Sequence, residues 1–230
     1  AVFAGDGFVV GGMAKGAGML APGLATMLVV LTTDAIATPA VLDSALRAAT
    51  RTTFDRLDSD GCMSTNDTVV LLASGASGIE ADAAGLAALV EQVCGDLARQ
   101  LLADAEGASK DISIEVLGAA SEDDAVLAGR AVSRSNLFKC AVTGEDPNWG
   151  RVLAALGTTE AAFEPDAVDV SINGVQVCRA GSVGDPRELV DMSGRDVHVL
   201  IDLHAGRSSA TILTNDLTVE YVRENSEYSS

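Results

Sequence analysis

The chain has 230 residues, of which 48% are hydrophobic and only 3% are aromatic. This apolar fraction excludes a disordered chain and is sufficient for a substantial core in one or two domains. The 33 acidic and 15 basic residues give a formal net charge of −18. No Lys/Arg stripe is available to neutralise phosphates, so we expect no nucleic-acid partner.

The predicted elements alternate between strands and helices after a glycine-rich start. Thr38 and Pro39 supply an N-cap and an N1 proline for one helix, and the apolar run at 27–33 is typical of a strand buried on both faces. The predicted order is an irregular segment at 1–25, strand 27–33, helix 38–57, polar loop 58–67, buried strand 68–73, helix 81–106, strand 112–117, helix 122–135, strand 137–143, loop 144–149, helix 150–156, and four or five strands to the C-terminus. This order indicates a mixed α/β protein whose second lobe begins near Ser109.

The spacings of cysteine and histidine indicate no metal site. No CxxC pair or metal-knuckle spacing occurs among the four cysteines, and the two histidines fall in or beside a probable strand. We therefore predict reduced, buried thiols in a cytosolic protein and no structural zinc. The residues concerned are Cys62, Cys94, Cys140, Cys178, His198 and His204.

One uncharged stretch of 18 residues, from Gly16 to Thr33, reaches the lower length limit of a membrane-spanning helix. Pro22 and three glycines interrupt its helical continuity, and it lies too deep in the chain for a secretion signal. We expect neither a membrane span nor export, and we predict a cytoplasmic protein.

Thr26 follows a flexible segment of small residues that contains Lys15. If the Ala25–Thr26 bond were cleaved, the α-amine of Thr26 would lie beside its own hydroxyl as a general base, which is the arrangement of an N-terminal nucleophile. A threonine before an apolar strand is also common, so this pattern alone leaves a structural role open. The order GGMAKGAG around Lys15 fits neither a P-loop nor a dinucleotide-binding fingerprint.

Five motifs in order carry a resemblance that covers essentially the whole chain. They are KGAGMLAPGLATML at 15–28, TTFDRLDSDGCMSTNDTVVLLASGAS at 52–77, DAEGASK at 104–110, GEDPNWGRVLAALG at 144–157 and NDLTVEYVRENSEYSS at 215–230. Together they resemble the ornithine acetyltransferases, the self-processing glutamate N-acetyltransferases of arginine biosynthesis. One departure is PGLAT at 22–26, where many members read PNMAT, and it leaves the Ala-Thr junction intact.

The resemblance implies a layered α-β-β-α sandwich of the N-terminal-nucleophile type with a β-rich C-terminal lobe. It implies autocleavage between Ala25 and Thr26. Residues 1–25 would then be the tail of an α-subunit, 26–108 the nucleophile-bearing core of the β-subunit, and 109–230 its C-terminal lobe. The rest of the α-subunit, with the oxyanion-hole residues, is expected upstream, and the family assembles as an α2β2 heterotetramer.

The implied reaction moves an acetyl group from N-acetylornithine to glutamate through an acetyl-Thr26 ester, without a metal or organic cofactor. Lys15 suits a substrate carboxylate, and Glu106 suits a substrate ammonium. Matching motifs name the substrate-binding residues as Lys15, Thr26, Glu106, Asn225 and Ser230. The loop residues Ser64, Thr65 and Asn66 are candidates for the active-site wall, although such residues are also ordinary turn formers.

Asn225 and Ser230 lie at the extreme C-terminus, so a functional role predicts that the tail folds back over the active site. The alternative is a solvent-exposed tail. The role of the motif PNWG at 147–150 does not follow from the residues.

Three other functions remain open at this stage. One is a paralogous acetyltransferase of secondary metabolism, of the kind found beside clavulanate pathways, and another is an aminopeptidase or amidohydrolase of the same fold. The third is a non-catalytic assembly module whose Ala25–Thr26 bond stays intact.

Overall fold

The computed structural model describes residues 1–5, 7–19, 27–62 and 66–227. The chain divides into two compact units: unit 1 comprises Ala1–Leu57 and Cys62–Ala105, and unit 2 comprises Asp58–Gly61 and Glu106–Ser230. Each unit combines one sheet with helices, which confirms the predicted mixed α/β class. Within the described ranges, no helix is both long and apolar enough to cross a bilayer.

Unit 1 is built on a four-stranded sheet in the order β1-β2-β3-β4. The strand β2 is antiparallel to both β1 and β3, and β4 is parallel to β3. The elements are β1 Val2–Gly5, β2 Phe8–Lys15, β3 Leu28–Thr33, α1 Pro39–Thr52, β4 Thr68–Ala73 and α2 Ala83–Ala103.

The first two strands correct the prediction of an irregular segment at 1–25. The glycines that suggested irregularity instead permit close packing within the sheet. A Cβ on Gly12 would collide with the side chain of Leu31 on β3 and press on Leu97 of α2. Glycine in a strand often marks such a close approach, and here it lets α2 lie directly on β2.

One face of the unit 1 sheet is covered by α1 and α2, and the other is exposed. We call the exposed side the open face, and its exposed large apolar residues are Val2, Val9, Met13, Leu28, Val30 and Leu72. Val29 and Leu31 alternate with the exposed residues of β3 and are buried. The prediction that β3 is buried on both faces is therefore wrong for this chain, as is the prediction that β4 is buried, since no β4 residue is buried.

The predicted start of α1 is confirmed, because the Thr38 hydroxyl accepts a hydrogen bond from the Val41 N–H at 3.4 Å. The helix ends at Thr52, earlier than the predicted Leu57, and a short 3₁₀ turn at Phe54–Arg56 follows it. Asp82 caps α2 in the same way through the Gly85 N–H at 2.9 Å.

Unit 2 contains a mixed six-stranded sheet in the order β10-β5-β9-β6-β7-β8. The central strands β5 and β9 are parallel, and their inward residues, such as Ile114 and Val199, are fully buried. The elements are β5 Asp111–Ala119, α3 Glu122–Ser133, α4 Asn136–Thr143, α5 Trp149–Leu156, β6 Asp169–Ile172, β7 Val175–Arg179, β8 Ser182–Val183, β9 Asp196–Asp202, β10 Ser208–Asn215 and α6 Val219–Glu227.

The strand predicted at 137–143 is a helix, α4. Ser135 caps it, since its hydroxyl accepts a hydrogen bond from the Phe138 N–H at 3.3 Å. Phe138 and Val142, four residues apart, are both buried and so share the inward face of the helix. The cap and the helical spacing outweigh the strand propensity of the apolar run.

The C-terminal region was predicted to contain four or five strands, and it contains five, but the last element described is the unpredicted helix α6. Two of the four cysteines, Cys62 and Cys140, are exposed, which corrects the prediction that all are buried. Cys94 and Cys178 are buried, and burial raises the pKa of the Cys94 thiol to about 12.

Candidate active site

Three separate stretches of unit 1 meet where β3 begins, a place we call the β3 start: Lys15, Met27, Leu28, Asp67 and Thr68. Lys15, the last residue of β2, pairs with Leu28, the first residue of β3. Leu28 pairs in turn with Thr68, the first residue of β4. The sheet register therefore brings a predicted substrate-binding lysine to the strand that directly follows Thr26 in the sequence.

Both main-chain groups of Met27 are held by the chain around Asp67. The Met27 N–H donates to Asp67 Oδ1 at 2.9 Å, and the Thr68 N–H donates to the Met27 carbonyl at 3.0 Å. The half-buried position of Asp67 raises the pKa of its carboxyl, and the hydrogen bond from Met27 opposes that rise. Asp67 is thus the anchor of the β3 start.

Lys15 is exposed on the side of the sheet that carries the open face. Among the described residues, no carboxylate forms a salt bridge with its ammonium group.

Several predicted site residues fall outside the described residues: Ala25 and Thr26 at the cleavage site, Ser64 and Thr65 in the loop, and Ser230 at the C-terminus. Asn66, the third loop candidate, is exposed, and its carbonyl accepts a hydrogen bond from the Thr68 hydroxyl at 3.4 Å. Asn66 directly precedes the anchor Asp67 in the sequence.

In unit 2, the structure brings together two further predicted substrate-binding residues. The side-chain amide of Asn225, on α6, donates to Glu106 Oε2 at 3.3 Å. The same amide also donates to the Tyr221 carbonyl one helical turn earlier, at 3.0 Å. These two residues are 119 positions apart in the sequence.

The approach of α6 to Glu106 depends on Gly107. Gly107 has a φ of +62°, and a Cβ there would collide with the main chain of Tyr221. The Thr218 hydroxyl donates to the Gly107 carbonyl at 2.5 Å and accepts the Tyr221 N–H at 3.0 Å, so one side chain caps α6 and ties it to this turn. The glycine of the DAEG motif is therefore required by close packing.

Glu106 also lines a cavity of about 220 Å³ together with Lys139 and Tyr221. Lys139 is buried, and its ammonium donates to the Ser59 carbonyl. Burial lowers the pKa of Lys139 to about 8, against the opposing effect of Asp58, Asp60 and Asp216.

Asp216 organises the wall of this cavity, and the sequence motifs did not single it out. Its carboxylate accepts the main-chain N–H groups of Ser109 and Lys110, both at 2.9 Å, and the Thr143 hydroxyl at 3.2 Å. It thereby joins the chain that follows Glu106 to the end of β10. The only sequence signal is its place inside the matched motif at 215–230.

The acidic and histidine residues do not assemble into a metal centre in the part of the chain that the structure describes. No group of three His, Cys, Asp or Glu side chains there has the geometry to hold a metal ion. His204 instead pairs with Asp169 at 2.9 Å, and this hydrogen bond raises the pKa of the imidazole.

The two units, each with one sheet and its helices, define a mixed α/β protein. This is the fold class that the order of the predicted elements indicated. The chain belongs to the ArgJ family, whose sequence model matches residues 1–230. It is 68% identical over 225 residues to the arginine biosynthesis bifunctional protein ArgJ of Streptomyces avermitilis, a match that covers 98% of this chain and 59% of that protein.

Other relatives give the same result. The arginine biosynthesis bifunctional protein ArgJ 1 of Streptomyces clavuligerus is 67% identical over 230 residues, which is 100% of this chain and 60% of that protein. The crystal structure of the Bacillus halodurans arginine biosynthesis bifunctional protein ArgJ superimposes with a TM-score of 0.81 at 33% identity, covering 87% of this chain and 98% of that chain. The chain thus spans about 60% of the length of the curated relatives it matches.

Proposed function

We propose that this chain carries the nucleophile of a glutamate N-acetyltransferase that serves arginine biosynthesis. The observation that carries the proposal is the β3 start, where Asp67 and Lys15 contact Met27 and Leu28, the two residues that follow Thr26 in the sequence. Membership of the ArgJ family supports it, because the relatives are named for arginine biosynthesis.

The proposed chemistry begins with hydrolysis of the Ala25–Thr26 peptide bond, which frees the α-amine of Thr26. An α-amine has a pKa of about 7.7 to 8.0, so it can accept the proton of the Thr26 hydroxyl near neutral pH. Thr26 Oγ attacks the acetyl carbonyl of N-acetylornithine, the amide C–N bond breaks, and the proton passes to the departing amine of ornithine. The acetyl group remains on Thr26 as an ester.

Glutamate completes the cycle. Its uncharged amine attacks the ester carbonyl, the ester C–O bond breaks, and a proton returns to Thr26 Oγ to regenerate the hydroxyl. Both halves pass through a tetrahedral oxyanion that needs hydrogen-bond donors, and we expect those donors outside this chain.

Lys15 binds a substrate carboxylate, and Glu106, held by Asn225, binds a substrate ammonium. The pairing of Glu106 with Asn225 supports a role for the C-terminal tail, although α6 contains no buried residue. Ser64 and Thr65, with Asn66, are proposed for the wall around Thr26, and Ser230 for a further substrate contact.

We further propose that the chain works with an α-subunit encoded upstream, in a cytoplasmic α2β2 assembly. The open face supports such a partner, since Met13 is 73% exposed and Leu72 is 57% exposed on a sheet whose other face is packed. Exposed apolar side chains that share one face in this way are typical of an interaction surface. The relatives are also longer than this chain, and the part of a relative that this chain does not match is long enough to encode such a partner.

The experiment uses the complete gene product, incubated with N-acetylornithine that is isotopically labelled in the acetyl group, and with glutamate. The proposal predicts labelled N-acetylglutamate and an equal amount of ornithine. Labelled acetate without labelled N-acetylglutamate would indicate an amidohydrolase instead. Thr26→Ala should abolish the transfer.

A further inference from the structure

The hydrogen bond between Asp67 and Met27 departs from the regular ladder of the sheet. In a parallel pair, every second residue of a strand donates its N–H to one carbonyl of the partner strand, and its own carbonyl accepts an N–H from two residues further along that strand. The Thr68 N–H bonds the Met27 carbonyl as this pattern requires. The Met27 N–H, however, donates to the side chain of Asp67.

The carbonyl that would take the Met27 N–H in a regular ladder is that of Asn66. That carbonyl instead accepts the Thr68 hydroxyl at 3.4 Å. A carboxylate has therefore replaced a backbone acceptor at the peptide group that directly follows the residue that the proposed function makes the nucleophile.

We propose that Asp67 is a positioning residue, which fixes the peptide N–H of Met27 at the β3 start and thereby aligns the chain for cleavage at Thr26. The proposal rests on the proposed function of Thr26. A peptide group is planar, so a hydrogen bond to its N–H fixes the plane that also contains Cα of the preceding residue. Small errors in such alignment cost large factors in rate.

A second carboxylate, at the other end of β3, supplies a matched control. Asp34 follows the other end of β3, and its Oδ1 accepts the Val9 N–H at 2.8 Å. This bond has the same chemistry as the one from Met27 to Asp67 and ties the same sheet, but it lies at the opposite end of β3. Loss of either bond should lower the stability of the sheet to a similar extent. Only loss of the Asp67 bond should disturb the β3 start.

The test follows cleavage of the complete gene product by intact mass spectrometry after a synthesis pulse, together with the thermal unfolding midpoint of each variant. Asp67→Ala should slow cleavage roughly tenfold to a hundredfold. Asp67→Asn should restore it, because the amide oxygen can take the Met27 N–H. Asp67→Glu keeps the charge but displaces the acceptor by one methylene, so it should also be slow.

Asp34→Ala should lower the unfolding midpoint to a similar extent while cleavage proceeds at the wild-type rate. Wild-type cleavage in Asp67→Ala, or equal slowing in Asp34→Ala, would overturn the positioning role and leave the proposed function intact. Failure of Asp67→Asn to restore cleavage would likewise overturn it. A wild-type protein that is never cleaved would overturn both the positioning role and the proposed function.

Discussion

The side-chain amide of Asn225 lies 3.3 Å from Glu106 Oε2, so a residue of α6 contacts the first residue of the long segment of unit 2. This contact exists because α6 is capped by Thr218, whose hydroxyl also bonds the Gly107 carbonyl. It gives the terminal helix a defined partner that tail sequences usually lack.

The carboxylate of Glu106 should contribute to substrate binding more than to the chemical step. Glu106→Gln keeps the size of the side chain but removes the charge that attracts an ammonium group. We expect KM for N-acetylornithine or glutamate to rise roughly tenfold or more, since a hydrogen bond to a charged group contributes about 1.5–3 kcal/mol. Steady-state kinetics of the complete gene product measures this change.

Glu224→Gln is the matched control for that substitution, because Glu224 is an exposed carboxylate on α6 next to Asn225. It should leave KM at the wild-type value. Equal KM values in Glu106→Gln and the wild type would show that Glu106 does not bind substrate.

Replacement of Gly107 should damage the fold around α6. Gly107→Ala introduces a side chain at a φ of +62° and also drives its Cβ into the main chain of Tyr221. The left-handed conformation alone costs about 1–2 kcal/mol, and the collision adds to it, so we expect a total loss of about 3 kcal/mol or more in the free energy of unfolding. Urea denaturation measures the loss.

Gly174 offers the comparison for this prediction. It has a φ of +84° in the same unit, and a Cβ there meets no atom within 4 Å. Gly174→Ala should therefore cost only about 1–2 kcal/mol, the conformational part alone. Similar losses in the two variants would mean that the turn at Gly107 can move away from α6.

Lys139 should make the stability of the protein depend on pH in the alkaline range. Its pKa is about 8 in the folded protein, because burial disfavours the charged form, whereas an unfolded lysine titrates near its usual value of about 10.4. Between these two values the unfolded chain holds a proton that the folded chain has lost. The contribution of Lys139 to the free energy of unfolding should therefore increase as the pH rises from about 8 towards 10.4.

The measurement is urea unfolding of the wild type and of Lys139→Met at several pH values in this range. The free energy of unfolding of the wild type, relative to that of the variant, should increase as the pH rises, because the variant lacks the titrating group. A difference that stays constant with pH would contradict the lowered pKa of Lys139.

Local signals in the sequence were enough to predict several elements. Thr38 and Pro39 placed the start of α1, and the apolar run after Met27 placed β3, because capping and short-range patterning act within a few residues. The same local reasoning failed at 137–143, where an apolar run of strand-like residues follows a capping serine and forms α4. It also failed for β2, whose glycines are explained only by the residues packed on them.

The candidate site was predictable only as a list of residues. Lys15, Glu106 and Asn225 came from matched motifs, and nothing local shows that Glu106 and Asn225 touch. The anchors Asp67 and Asp216 act across 40 and 107 positions of sequence, on Met27 and Ser109. Such contacts are set by the register of the strands, which a single sequence does not display.

The central claim is that Thr26 becomes an N-terminal nucleophile that carries the acetyl group. The most direct measurement is mass spectrometry of the complete gene product after brief incubation with N-acetylornithine in the absence of glutamate. The account predicts a chain that begins at Thr26 and bears one acetyl group on the side-chain oxygen of that residue, which is lost on addition of glutamate. An uncleaved Ala25–Thr26 bond in an active enzyme, or an acetyl group on any other residue, would contradict it.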